Sequence, residues 1–375
     1  MKKCFLLPTM AVAAVLMLNS CELFCEQYAE LCCETECPEE ITSIMVSLQP
    51  FTVPGTRATE GGQTKSVTAE DGNQSFSQGD KISVTQGGVV STWVATESRN
   101  PAPFVLVEGK GIDPNIPATV QAPVGRSGAD KHGKKVYLFE TDNRESSEYI
   151  DCTPALPKEG NYNEATNSAD LVNLGGAITT AVKSDVSLEV SCIKVVPEGM
   201  YPIEIQGTLS VGNDEQKMIL PAPAKDGDTR TKVSYVFEYS TADSLERFVT
   251  FTDEFEASNN AITKEHAIII TDNRPYQNLN WNKNAKTYNY PSTFNIPARE
   301  ASYCFDGNFN DEGKPILPSR VEMSPLTKNV VVADVTLTSA GFVTFTSTGR
   351  YGTARITVYD SDDKWLARWT IVANP

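Results

Sequence analysis

Apolar residues recur at every second position in many short runs of this chain, and this alternation constrains its fold more than any other feature. The clearest runs lie in the middle of the chain and near its start: Val186, Leu188, Val190 and Cys192, and Ile44, Val46 and Leu48. Glycine, proline, asparagine or aspartate separates one run from the next. Period-two alternation is typical of half-buried strands, and many short strands joined by turns are typical of antiparallel sandwiches. The sequence therefore predicts an all-β fold made of β-sandwich domains.

The length of 375 residues is that of about two domains. A polar stretch with glycines over residues 158–176 precedes the clean alternation that begins at Val186. We therefore place a domain boundary between them, with one sandwich over residues 41–183 and a second over residues 184–375. Residues 273–298 are rich in Asn, Tyr and Pro and show no sustained period, which predicts a long loop of the second domain.

The N-terminus has the pattern of an export signal. Lys2 and Lys3 precede an apolar run over residues 5–18, which suits a signal peptide and is too short to span a bilayer. The sequence Leu18-Asn19-Ser20-Cys21 resembles the bacterial lipobox. Residues 1–20 are therefore predicted to be a lipoprotein signal peptide and Cys21 the lipid-bearing residue, anchored through acyl chains. The alternative is a plain secretory signal that a cysteine follows by coincidence.

Residues 21–40 contain glutamates and no basic residue, which predicts a solvated tether. Cys25, Cys32, Cys33 and Cys37 lie in this tether without the Cys-x2-Cys pairs of a structural zinc site. In an oxidising compartment we expect these thiols to pair with one another or between chains, with the connectivity left open. In the globular part, the expected bridge, if one forms, joins Cys152 to Cys304.

The net charge and the absence of common catalytic motifs limit the functions that the chain can have. The chain has 32 Lys and Arg against 48 Asp and Glu, a net charge of -16, which excludes nucleic acid as a partner. It has two histidines and none of the usual motifs of nucleophile-elbow hydrolases, zincins or nucleotide enzymes. We therefore expect no catalytic residues, no metal and no cofactor. A carboxylate pair for glycoside hydrolysis is defined by its separation in space, so a surface glycoside hydrolase remains an alternative.

Several segments, taken in order, resemble the fimbrillin-like proteins of Bacteroidales. Thr56-Arg57-Ala58-Thr59 is followed by a Phe76 to Val84 segment containing Gly79-Asp80, and the tail from Gly341 to Val372 matches the pattern of their C-terminal strands. The resemblance implies two transthyretin-like β-sandwich domains, a lipid anchor at the outer membrane and a place at the cell surface or in a fimbria. It also implies, as partners, other fimbrial subunits or surface receptors of a host or bacterium.

The polymerising members of that family are cut after an arginine, which removes the first strand and opens a groove for a neighbour's strand. Arg57 lies where that cut falls, and residues 42–48 would be the strand that leaves. Strand addition needs an extended apolar strand and an unpaired sheet edge. The alternative is that Arg57 is an ordinary loop residue.

Two further segments are candidate binding elements. The C-terminal run alternates, with Trp365, Ala367, Trp369 and Ile371 on one face. This face belongs either to a donor strand or to the protein's own core. Trp281, Tyr288 and Tyr290 form a candidate contact surface, unless they pack the loop onto its own sheet.

We therefore expect a lipid-anchored surface protein that acts in adhesion or fimbria assembly, as an anchor, tip or shaft component. The alternative from another class is a surface glycan-binding lipoprotein that feeds nutrient uptake, with Trp281, Tyr288 and Tyr290 as its sugar platform.

Overall fold

The computed structural model describes residues 40–52, 72–123, 128–129, 135–138, 149–225, 227–270 and 276–375. Cys21, the tether cysteines and Arg57 lie outside these ranges, so the predictions made for them remain predictions. The helices within the described ranges are two single 3₁₀ turns, Thr153–Ala155 and Glu164–Thr166. Strands supply the rest of the regular structure, and the predicted all-β fold is confirmed.

The strands are numbered in chain order. The N-terminal part contains β1 (Ser43–Leu48), β2 (Lys81–Gln86), β3 (Val89–Ala95), β4 (Ala102–Glu108), β5 (Ala118–Ala122), β6 (Gly128–Ala129), β7 (Lys135–Leu138), β8 (Ile150–Asp151), β9 (Lys158–Asn163) and β10 (Ser168–Asn173). The middle part contains β11 (Gly175–Ser184), β12 (Leu188–Pro197), β13 (Ile203–Val211), β14 (Gln216–Pro223), β15 (Arg230–Thr241), β16 (Phe248–Phe251), β17 (Phe255–Ser258), β18 (Ile262–Lys264) and β19 (Ile268–Ile270). The C-terminal part contains β20 (Tyr276–Asn278), β21 (Trp281–Asn282), β22 (Thr287–Tyr288), β23 (Thr293–Pro297), β24 (Glu300–Asp306), β25 (Arg320–Pro325), β26 (Val332–Leu337), β27 (Phe342–Thr348), β28 (Gly352–Tyr359) and β29 (Trp365–Asn374).

The first unit is a sheet that closes on itself. Its strands pair in the order β1, β10, β9, β5, β2, β3 and β4, and β4 pairs back to β1. Every second residue of β1 faces the interior, where Trp93 and Phe104 are fully buried. The indole nitrogen of Trp93 donates to Ser91 Oγ at 2.9 Å, so the polar end of this buried ring is satisfied.

The second unit is a sandwich. One sheet runs β18, β11, β14 and β8, with β19 also on β11, and the facing sheet is centred on β12, β13 and β15. Alternate residues of β11, β12 and β15 fill the space between the sheets, with Tyr235 and Phe237 among the largest. The hydroxyl of Tyr235 donates to the carbonyl of Pro221 at 3.0 Å.

The third unit packs a sheet of β23, β29, β28 and β25 against strands β20, β24, β27 and β26. Trp369, Phe305 and Phe345 lie in the core between them. Strand β20 pairs with β16 on one side and with β24 on the other. One sheet of 11 strands therefore continues from the second unit into the third.

Three large apolar cores thus fill the described ranges, one in each unit. The division at residues 183 and 184 stays a prediction; β11, which ends at Ser184, shares its core with β12. The long loop predicted over residues 273–298 is wrong for its described part, which contains β20, β21, β22 and β23. These strands are two to five residues long. The two- and three-residue strands are too short to show a period in the sequence, and the five residues of β23 alternate with only Phe294 and Ile296 buried.

Candidate functional site

The first strand fills a slot between two others in the closed sheet. β1 runs parallel to β10 and antiparallel to β4, with Val46 opposite both Ala169 and Ala102. Ile44, Val46 and Leu48 point inward and are almost fully buried. The strand expected to leave on cleavage is therefore hydrogen-bonded to a neighbouring strand on each side.

Side chains from neighbouring segments hold both ends of β1. Asn100 Nδ2 donates to the Leu48 carbonyl at 2.9 Å, and Asn100 Oδ1 accepts from the Leu48 N–H at 2.8 Å. At the other end, Asn167 Nδ2 donates to the Ser43 carbonyl at 3.0 Å. These side-chain hydrogen bonds set where the paired segment begins and ends.

The chain beyond β1 continues onto the second unit. Phe51 is buried in a small cluster with Leu156 and Ile219. Thr52 donates its N–H to the Asn260 carbonyl at 2.7 Å. The segment upstream of Arg57 therefore contacts two units of the protein.

The C-terminal strand is paired on both sides. β29 runs parallel to β23 and antiparallel to β28. Ala367, Trp369 and Ile371 point into the third core, whereas Trp365 is 53% exposed and has the Arg368 guanidinium 5.2 Å from its ring. A donor role for these four residues stays a prediction, and in this structure β29 belongs to its own sheet.

The aromatic residues of the candidate contact surface fold back onto the protein. Trp281 Nε1 donates to the Leu245 carbonyl at 3.0 Å, and the Arg247 guanidinium lies 4.7 Å from the Trp281 ring. The ring of Tyr288 lies 5.1 Å from that of Trp281. The ring of Tyr290 packs on Phe309 at 5.2 Å. All three are half-buried, so the structure gives them internal partners, and the sugar platform stays a prediction.

A buried charge cluster lies where the second and third units meet, and sequence reasoning did not single it out. Lys194 Nζ lies 2.8 Å from Glu238 Oε1, 2.8 Å from Asp306 Oδ2 and 3.4 Å from Glu204 Oε1. The Tyr288 hydroxyl donates to Glu238 Oε2. We call Lys194, Glu204, Glu238 and Asp306 the junction cluster. Taken as ionised, its members carry one positive and three negative charges.

Electrostatics in the junction cluster favour a charged lysine. Burial lowers the pKa of Lys194, but Asp306, Glu238 and Glu204 outweigh it and hold this pKa well above its ordinary value. Burial, reinforced by Glu238, raises the pKa of Tyr288 well above its usual range. The hydroxyl of Tyr288 therefore remains a hydrogen-bond donor toward Glu238.

Comparisons with known proteins give solved structures of low similarity. No family model and no curated protein matches the chain. A candidate cell adhesion protein from Bacteroides ovatus is 10% identical, with 64% of this chain and 96% of that chain covered and a TM-score of 0.28. One from Bacteroides fragilis is 9% identical, with 64% and 96% covered and a TM-score of 0.27. One from Bacteroides eggerthii is 10% identical, with 90% and 99% covered and a TM-score of 0.21.

A sequence signal for the junction cluster exists in retrospect. Lys194 stands between Ile193 and Val195, and Glu238 between Phe237 and Tyr239. A lone charge within an apolar strand is exceptional, because burying it costs several kcal/mol unless it is paired. Such positions are candidates for paired charges even when their partners are far away along the chain.

The cysteines of the globular part are buried thiols. Cys152 lies in the core of the second unit and Cys304 in the apolar cluster at the junction. The predicted bridge between them is therefore wrong, because strand pairing places the two residues in different clusters. Burial raises the pKa of both thiols.

Two further features are absent from the described residues. No group of three or more His, Cys, Asp and Glu side chains there could hold a metal ion. None of the helices in those ranges is long and apolar enough to cross a membrane.

Proposed function

We propose that this chain is a lipid-anchored surface protein that acts in adhesion or fimbria assembly by accepting a strand from a partner. One observation carries the proposal. β1, which precedes Arg57 in the chain, occupies a slot between β4 and β10 and fills it with Ile44, Val46 and Leu48.

Cleavage after Arg57 would cut the main chain between β1 and the strands that follow it. Departure of β1 would leave the facing edges of β4 and β10 without hydrogen-bond partners and open an apolar slot between them. Such an edge is a template for an added strand: main-chain hydrogen bonds supply affinity, and pockets for alternate side chains supply specificity. The slot has two edges, so an incoming strand pairs on both sides.

The structure favours an acceptor at one end of an assembly over a repeating shaft subunit. A shaft subunit must both accept a strand and donate one. Here Ala367, Trp369 and Ile371 of β29 are needed in the third core. We therefore propose an anchor or tip position, with another fimbrial subunit or a surface receptor as the strand donor.

The proposed localisation is the outer face of the outer membrane. The lipobox-like sequence ending in Cys21 and the acidic tether after it support this localisation. Lipidation of Cys21 is tested by mass spectrometry of the N-terminal peptide from the native host.

Strand acceptance is tested with the purified full chain and an arginine-specific protease. We expect cleavage after Arg57, located by sequencing the new N-terminus, and no cleavage at this position in an Arg57→Lys variant. The cleaved protein should then exchange its bound β1 for a fluorescent peptide of residues 41–50, which reports the opened slot.

The peptide has a matched control. A Val46→Asp peptide places a carboxylate at a fully buried position and should not bind, because an unpaired buried charge is costly. Equal binding of both peptides, or a cleaved protein that binds neither, would contradict strand acceptance.

A further inference from the structure

The junction cluster brings an amine and a carboxyl group into contact in a site closed to water. The side chains of Lys194, Glu238 and Asp306 are 3%, 1% and 1% exposed. The ring of Phe342 covers the Lys194 Nζ, with its centroid at 4.7 Å. Val196, Val236 and Cys304 complete the apolar surroundings. Strand acceptance makes no use of these residues.

We propose that Lys194 and Asp306 form an intramolecular isopeptide bond, with Glu238 as the group that moves the protons. The bond joins β12 of the second unit to the end of β24 in the third. It is a covalent modification of the folded chain and does not depend on strand acceptance.

The two carboxyl oxygens of Asp306 have different hydrogen-bond partners, as a carboxyl group that is to be attacked by an amine requires. Oδ1 accepts hydrogen bonds from the Asn308 N–H at 3.1 Å and from Asn308 Nδ2 at 2.9 Å. Oδ2 faces the amine of Lys194 at 2.8 Å. Donors at Oδ1 stabilise the negative charge that develops there when the amine adds to the carboxyl carbon. Oδ1 therefore becomes the amide oxygen, and Oδ2 leaves.

The position of Asn308 is itself fixed. Its Nδ2 also donates to the Ala340 carbonyl at 2.9 Å, and the N–H of Asp306 donates to Asn280 Oδ1 at 2.7 Å. The donor residue Asn308 and the backbone of Asp306 are thus each held by a further hydrogen bond before any reaction. Prior positioning of this kind is what makes electrostatic stabilisation effective.

The reaction balances without an added reagent. One proton moves from the Lys194 ammonium to the Asp306 carboxylate, which gives a neutral amine and a carboxylic acid. The amine nitrogen then adds to Cγ of Asp306. Glu238 Oε1, which lies 2.8 Å from Nζ, takes a proton from the nitrogen and passes it to the hydroxyl at Oδ2. The C–O bond breaks, water leaves, the C–N bond remains, and Glu238 ends as it began.

The closeness of the Lys194 amine to the Asp306 carboxyl group makes the condensation feasible. The ammonium is the resting form of Lys194, so the reactive amine is a minor form and the step is slow. It has to occur only once in each molecule, after folding. Well-oriented groups react as though at about 10⁵ to 10⁸ M, which speeds the addition of the amine. The site is closed to solvent, so the water needed to hydrolyse the amide has little access to it.

Mass spectrometry of the full wild-type chain tests the proposal. Trypsin does not cut after an acylated lysine, so the bond should produce one linked species of residues 184–217 and 300–320. Its mass should be lower than the sum of the two peptides by one water. Digestion after reduction and alkylation excludes a disulfide as the link, because Cys192 and Cys304 lie in these same peptides.

Variants assign the roles. Lys194→Arg should give a separate peptide that ends at residue 194, and Glu238→Gln should give unlinked peptides from a chain that still unfolds cooperatively. The matched control is Glu215→Gln, which removes only the exposed ion pair with Lys183 and should keep the link.

Unlinked peptides from the folded wild-type chain would overturn the proposal and leave the junction cluster as an ion-pair network. A link that persists in Glu238→Gln would overturn the role of Glu238. Neither result bears on cleavage at Arg57, so failure here is distinct from failure of strand acceptance.

Discussion

Asn100 pairs with Leu48 through both ends of its amide, accepting from the Leu48 N–H at 2.8 Å and donating to the Leu48 carbonyl at 2.9 Å. A side chain that satisfies both backbone groups of one residue substitutes for a neighbouring strand at that position. It does so at the last residue of β1, next to the segment that leads toward Arg57. The contact therefore controls how readily the end of β1 opens.

Replacing Asn100 by alanine should loosen this end. The change leaves the Leu48 N–H without its partner, and we expect a loss of about 1–3 kcal/mol in the free energy of unfolding. Amide hydrogen exchange in residues 43–48 should become faster. The control is Asn115→Ala, since Asn115 bonds to Asp113 within its own exposed turn. Unchanged exchange in β1 would show that Asn100 does not hold the strand.

Two tryptophans of β29 should respond in opposite ways to alanine. Trp369 is buried in the third core, and its loss should cost about 3–5 kcal/mol of unfolding free energy. Trp365 is exposed, and its loss should cost less than about 0.5 kcal/mol. Urea unfolding followed by far-UV circular dichroism measures both. Equal effects would mean that β29 is not seated in its own sheet.

The stability of the chain should rise with pH through the titration of Lys158. Burial lowers the pKa of this lysine from 10.5 to about 8, against the opposing effect of Asp151 and Asp80. Its ammonium donates to the carbonyls of Thr153 and Leu156 at 3.1 and 3.0 Å. Between these two pKa values the unfolded chain binds more protons than the folded chain, so the free energy of unfolding increases with pH.

The size of this pH effect follows from the shift. A difference of 10.5 − 8 = 2.5 pKa units corresponds to about 3 kcal/mol at most. Urea unfolding of the wild type and of Lys158→Met at pH 8 and pH 10.5 measures it, and the difference between the two proteins isolates this lysine. Identical pH slopes would show that Lys158 titrates normally.

Tyr288→Phe removes one hydroxyl from the junction. Glu238 Oε2 then loses its donor while it remains buried, and a buried carboxylate without its hydrogen bond costs about 1.5–3 kcal/mol. Thermal unfolding should show the loss. Tyr201→Phe is the control, because Tyr201 is an exposed tyrosine in a turn. A neutral result for Tyr288→Phe would mean that another group satisfies Glu238.

The strands with clear alternation could be predicted from the sequence. The alternating run from Trp365 to Ile371 lies in β29, which extends to Asn374, and the run from Val186 to Cys192 overlaps β12. A period-two pattern reports burial on one face, and that information is local. The sequence was equally informative about β1, where Ile44, Val46 and Leu48 all face the core.

The predictions failed where structure depends on distant pairing. Strand β20 is three residues long and exists because β16 and β24 flank it. The junction cluster combines side chains from β12, β13, β15 and β24, which no spacing along the chain connects. Trp281 and Tyr288 are aromatic residues in a polar segment, which predicts a contact surface. Their burial instead depends on Arg247 and Glu238 in other segments.

The sheet that passes from β15 through β16 and β20 to β24 has a mechanical consequence. Separating the second unit from the third would require breaking the main-chain hydrogen bonds that β20 makes with β16 or with β24.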